Sequence, residues 1–171
     1  MATTQASRTA QEAATEYFRA IAARDADAAA SLWHAEGVDD AGELGVFRGA
    51  DEVRPFLASM FAAMPDLETT IVRVTAGDRV AVVEWRMTGT FTGGPFAGLD
   101  ATDSYVELRG TDSLEIEDGM IVANTVYSDG TSFARAVGLL PKSDSGAERA
   151  FLAAFNGATK LRGIVREQLD R

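Results

Sequence analysis

"SYVELRGTDSLEIEDGMIVANTVYS", Ser104 to Ser128, is two runs of alternating residues joined through Asp118-Gly119. Strands alternate their side chains between two faces, and an Asp-Gly pair between two such runs is a strong type I′ hairpin signal. In the first run Asp112, Leu114 and Ile116 share a face, with Ser113, Glu115 and Glu117 on the other. In the second, Ile121, Ala123, Thr125, Tyr127 and Asp129 share one. Upstream, "LETTIVRVT" (67–75) and "RVAVVEWRMTGTF" (79–91) repeat the pattern and are joined tightly by "AGDR". Four such runs, rich in β-branched and aromatic residues and bounded by turn residues, predict an antiparallel meander.

Further upstream the period changes to that of a helix. Thr9 and Glu12 fit a capping box, and Ala10, Ala13, Ala14, Tyr17, Phe18 and Ile21 form a buried stripe. Asp25 and Asp27 predict the start of a short second helix running through "AAASLWH" to Gly37. "VDDAGELGVFRGA" reads as short extended pieces and turns, with Asp39 and Asp40 at the surface. A third helix is expected over 51–64, with Val53, Phe56, Leu57, Met60, Phe61 and Met64 facing inward and Pro65 ending it. The fold class is therefore α+β: a cone-shaped, curved antiparallel sheet whose concave face is covered by three N-terminal helices. A cavity is natural under such a cover. The segment 92–103, "TGGPFAGLDATD", either folds over the cavity mouth or is a plain connection. "GLLPKSDSG" (138–146) is the one linker-like stretch, so the chain divides into a domain over 1–141 and a linker with C-terminal helix over 142–171. That helix carries Phe151, Leu152, Phe155, Leu161, Ile164, Val165 and Leu169 on one face. Residues 145–171 hold five basic and three acidic side chains against 11 and 23 in the first 144.

Composition removes several functions. Sixteen Lys and Arg against 26 Asp and Glu give a formal charge of −10, which repels nucleic acid. With no Cys and a single His, there is no disulfide, no thiolate nucleophile and no Cys- or His-rich metal site. No apolar run approaches the ~18 residues needed to cross a bilayer, and the N-terminus has no leader pattern. A cytoplasmic protein is expected. No GxGxxG, P-loop, GxSxG or HExxH motif occurs.

The chemistry then rests on polar residues at apolar positions, since a buried carboxyl shifts its proton affinity or has a partner. Asp112 either serves as a protonated donor, or it caps a bend or pairs with Arg109 or Arg135 at a strand end. Asp129 either presents an acid/base group at a cavity rim beside Tyr127 or is the N-cap of the next helix. Tyr17 is either a phenol donor or core packing. Arg86, with Val82, Glu84 and Thr88 on its face, either neutralises a bound group or makes a cross-strand ion pair. His34, Trp33, Trp85 and Phe96 are further candidates for contact with a ligand, with core packing the alternative for the aromatic ones.

"MPDLE", "VEWRMTGTFTG", "EDGMI" and "VYSDGTSFARAVGLLP", in this order and spacing, resemble the SnoaL-like polyketide cyclases of the nuclear transport factor 2-like superfamily, which also contains ketosteroid isomerases and limonene-epoxide-type hydrolases. The similarity runs from about Thr9 to Pro141 and leaves out the last helix. It implies a cofactor-free acid/base pocket for a hydrophobic polyketide-like or terpenoid molecule, in a homodimer joined through the outer face of the sheet. Asp129 stands at the cyclases' acid/base aspartate, while Asp112 replaces a pocket histidine of theirs. Against the isomerases, Asp112 and Tyr17 stand at the two oxyanion-stabilising positions, but the base falls at Ala41. Against the epoxide hydrolases, Arg86 and Asp129 match, but the third position is Thr88. The resemblance thus implies Asp129, Asp112 and Tyr17 as catalytic, in a cyclase or isomerase. An epoxide hydrolase-like enzyme and a non-catalytic binding or dimerisation module are the alternatives.

Overall fold

The structure, a computed structural model, describes residues 8–169. Residues 1–7 and the side chains of Ile164, Val165 and Leu169 lie outside the described residues. The four alternating runs are strands β3 (Glu68–Ala76), β4 (Val80–Phe91), β5 (Ser104–Glu117) and β6 (Met120–Ser128), paired antiparallel in sequence order. Asp118 and Gly119 have φ of 48° and 77°, the paired left-handed conformation that a type I′ turn requires.

Two further strands extend the sheet. β1 (Trp33–Asp40) lies parallel to β6, and β2 (Val46–Arg48) lies antiparallel to β1, giving the order β2-β1-β6-β5-β4-β3. The meander is antiparallel as expected, but the sheet as a whole is mixed. It is curved and unclosed, with β2 and β3 as its edges.

Helix α1 (Ala10–Ala22) starts at the expected capping box and buries the expected stripe. Helix α2 (Ala26–Ala30) has Asp25 as its N-cap but ends seven residues earlier than Gly37. Trp33 and His34 belong to β1 instead. Trp33 pairs with Ile121 across the β1–β6 ladder and buries its ring against Tyr17, a tertiary gain that overrides the local helical pattern. Helix α3 (Gly49–Ala63) lays Val53 and Leu57 fully into the core, with Phe56, Met60 and Phe61 partly buried. The helices cover the concave face, and the core lies between α1, α3 and the inward residues of β4 and β5.

After β6 come α4 (Gly130–Ala136) and α5 (Gly146–Leu169). From Arg149 to Arg162 every residue of α5 is exposed, including Phe151, Leu152, Phe155 and Leu161. An ion pair between Glu148 and Arg135 at 2.8 Å ties its first turn to α4.

Candidate active site

Between the helices and the sheet lies a cavity of about 760 Å³. Its walls are α1 (Phe18, Ile21), α3 (Phe56, Leu57, Met60), β4 and β5 (Trp85, Met87, Val106, Leu108), and α4 with the chain beyond it (Phe133, Leu139, Leu140). The 92–103 segment does fold over it: Phe96 and Leu99 bridge to each other, line the cavity, and Phe96 sits 6.4 Å from the Phe56 ring. Of the polar side chains on this largely apolar surface, three are buried: Tyr17, Asp39 and Asp112.

Asp112 is held where the alternation of β5 puts it, on the inward face with Leu114 and Ile116. Its carboxylate accepts a hydrogen bond from the Trp85 indole N–H at 2.6 Å and one from the Asn124 amide at 2.8 Å. The same Asn124 amide nitrogen donates to Asp39 at 3.0 Å. One neutral side chain thus joins two carboxyls. Asn124 lies behind them, outside the lining, and its own oxygen is buried without a partner.

A bulge in β6 makes this possible. Ala123 pairs with Glu115, but the next pair on β5, Ile116, meets Ile121, so Val122 is an extra residue. An extra residue switches the faces of everything beyond it. Ile121 points inward, yet after the bulge Asn124 and Val126 do so, and Ala123, Thr125 and Tyr127 turn outward.

Burial raises the proton affinity of both carboxyls, because the charged form loses its hydration. Asp39 is pushed up to about 7, by burial first and then by the negative charge of Asp112, against the Asn124 donor. Asp112 is pushed up to about 6 by burial, opposed by its hydrogen bonds from Trp85 and Asn124. The Tyr17 phenol is held well above its ordinary value by burial and by the two carboxylates. The Trp33 N–H beside it pulls the other way but forms no full hydrogen bond. Tyr17 is therefore a neutral donor beside two carboxyls that change protonation near neutrality.

The remaining sequence candidates lie elsewhere. Asp129 is exposed and is the N-cap of α4, accepting from the Ser132 backbone N–H at 3.0 Å and hydroxyl at 2.6 Å, which hold its carboxyl below the usual range. The helix-capping alternative describes its place, and it is not part of the cavity lining. Tyr127 reaches the rim, but its side chain is 68% exposed because of the bulge. Arg86 is on the outer face, in a two-pronged hydrogen bond to Glu107 at 2.9 and 3.0 Å. That cross-strand pairing separates it from any guest. His34 is exposed on β1, its Nδ1 accepting from the Glu36 N–H, and Trp33 is buried behind Tyr17 rather than in the cavity wall. Trp85 and Phe96 do line the cavity. Conversely, Asp39, expected at the surface, is 2% exposed. Strand β1 places it opposite Asn124, a pairing invisible without the parallel β1–β6 contact.

A family model described as a SnoaL-like domain matches residues 14–124. Among solved structures, a candidate SnoaL-like polyketide cyclase from Jannaschia sp. CCS1 superposes with a TM-score of 0.68 at 18% identity, over 82% of this chain and 99% of that one. AclR, a candidate hydroxylase from Streptomyces galilaeus, gives 0.67 at 18% identity over 93% and 95%. A candidate polyketide cyclase from Xanthomonas campestris pv. campestris gives 0.65 at 21% identity over 75% and 96%. These likenesses establish a shared fold. No protein of curated function matches by sequence.

Proposed function

Since the chain belongs to the SnoaL-like domain family, we propose that it is a cofactor-independent acid/base enzyme, a cyclase or isomerase, acting on a hydrophobic polyketide-like or terpenoid molecule in the cavity. The observation that carries this reading is the placement of Asp39, Asp112 and Tyr17 on one apolar cavity, with the two carboxyls titrating near neutrality. A general base works best when its proton affinity lies near the working pH. Asp39 is the better base of the two. Ionised, it removes a proton from the carbon next to a carbonyl of the guest. Tyr17 donates its hydroxyl proton to the developing enolate oxygen without losing it, because its own ionisation is so strongly opposed. Asp39 then returns the proton at another carbon, or the enolate carbon attacks a second carbonyl, closing a ring, and Asp39 gives its proton to the alkoxide so formed. Asp112 shares the charge of the pair through Asn124, so the two carboxyls are best described as one coupled unit. Asp129 is replaced in this reading by Asp39, because Asp129 is hydrated and committed to α4.

The test is proton exchange at the carbon next to the carbonyl of a bicyclic ketone such as β-tetralone, in deuterated water, followed by NMR. The wild type should accelerate exchange with a rise in rate near pH 6–7. Asp39→Asn should lower the rate about 10²–10⁴-fold, while Asp129→Asn should leave it within about twofold of wild type. A wild-type rate equal to buffer, or loss with Asp129→Asn alone, refutes the assignment. The working unit in this reading is a cytoplasmic homodimer joined through the outer sheet face, where Val72 and Tyr105 are exposed. A monomer in sedimentation equilibrium would reject that part.

A further inference from the structure

The charge of the cavity narrows the guest beyond "hydrophobic". Among the described residues, its ionisable lining residues are Tyr17 from α1, Asp39 from β1, Glu43 from the turn that follows β1, Asp112 from β5 and Tyr127 at the rim of β6; α3, β4 and α4 add none, and no Lys, Arg or His is among them. Asp40, next to Asp39, adds further negative charge. Buried carboxylates are ordinarily paired with a cation, since leaving one unpaired is costly. Here seven ion pairs form among the described residues, and none includes Asp39 or Asp112. Among the described residues their only side-chain donors are the neutral N–H groups of Trp85 and Asn124. Tyr17, 2% exposed, lines the same cavity.

We propose that the guest carries a basic nitrogen, and that this cavity takes a hydrophobic amine whose ammonium sits between Asp39, Asp112 and Tyr17. An ammonium there supplies the missing counter-charge, and the aromatic side chains of Tyr17 and Trp85 line the same cavity, a residue type that attracts cations. An acid of the same skeleton meets like charge in a desolvated site and is repelled on approach by a protein of formal charge −10. This inference takes its site from the proposed function but is independent of turnover, so binding measurements separate the two.

The experiment is calorimetric titration of the full chain with three probes of one skeleton: 1-naphthylmethylamine, 1-naphthalenemethanol and 1-naphthoic acid. At pH 8 the amine should bind at least tenfold more tightly than the alcohol, and the acid should give no heat of binding. Lowering the pH to 5, which protonates the carboxyls, should reduce the amine to the affinity of the alcohol. Asp39→Asn with Asp112→Asn should do the same at pH 8, with a far-ultraviolet circular dichroism spectrum matching wild type to show that the variant is folded. Asp39→Asn alone, retaining one carboxylate, should fall between. Equal binding of amine and alcohol, binding of the acid, or no binding by any probe overturns the proposal. Amine preference without proton exchange on ketones would sink the acid/base reading alone.

Discussion

Asp39→Asn should make this protein more stable, and by about 3 kcal/mol more at pH 8 than at pH 5. In the folded state Asp39 is raised from 3.8 to about 7, so between those values it keeps a proton that the unfolded chain has lost. Stability therefore falls as pH rises through that window and levels off above it. Over pH 5 to 8 the wild type loses about two pH units' worth through Asp39, about 3 kcal/mol, and about 1 kcal/mol more through Asp112, raised to about 6. The carboxyls held below their usual range, Glu12, Asp66, Glu107, Asp129 and Glu148, act in the opposite sense, but their effect is in place by about pH 5. The variant keeps the shape of Asp39 and an oxygen for the Asn124 amide, so its loss from pH 5 to 8 should shrink from about 4 to about 1 kcal/mol. Urea denaturation at both pH values, with equal slopes as a check on two-state behaviour, measures this. A wild type no less stable at pH 8 than at pH 5, or a variant less stable than wild type at pH 8, would refute the reasoning.

Asn124→Ala removes the donor shared by both carboxylates, and should cost about 1–3 kcal/mol at pH 8 and less at pH 5, where the carboxyls are protonated, in the same denaturation assay. Gly110→Ala places a methyl group against the Trp85 ring and 2.7 Å from the Tyr127 carbonyl oxygen. The overpacking should cost about 1–3 kcal/mol and shift Trp85 away from Asp112, seen as a change in tryptophan emission. Deleting residues 143–171 removes a helix whose described residues from Arg149 to Arg162 are all exposed, so the unfolding free energy should fall by no more than about 1 kcal/mol, the scale of the lost Arg135–Glu148 pair.

The meander was legible because its signals are local. Alternation and the Asp118-Gly119 turn depend on neighbours in the chain, and the four strand ranges agree with the sequence reading to within a residue or two. The same holds for the α1 capping box and for Asp129, whose following Gly-Thr-Ser already marked a helix start. Asp112 was found by the same alternation. Trp33 and Asp39 were misplaced because β1 is defined by a partner nearly 90 residues away, and nothing local marks "WHAEGVDD" as one strand of the sheet. Ile121 and Tyr127 were put on one face, which they do not share, for a different reason. A strict period of two cannot register the extra Val122, and Val, Ala and Thr around it fit either face.

That bulge connects topology to chemistry. In the parallel ladder Asp39 stands opposite Asn124, while in the antiparallel one Asn124 stands opposite Leu114, one inward position from Asp112. The Asn124 side chain is thus flanked by a carboxyl from each neighbouring strand, and its amide can reach both. Without the extra residue, Asn124 would face outward and the two carboxylates would meet with no donor between them, each raising the other's proton affinity further. A cavity lined only by apolar groups would be more stable, because desolvating two acids opposes folding near neutrality. The fold instead spends a bulge and an amide on keeping both acids close, ionisable near neutrality and open to the cavity. Both proposals rest on this arrangement: a guest that exchanges protons with those acids, or one that carries charge to them.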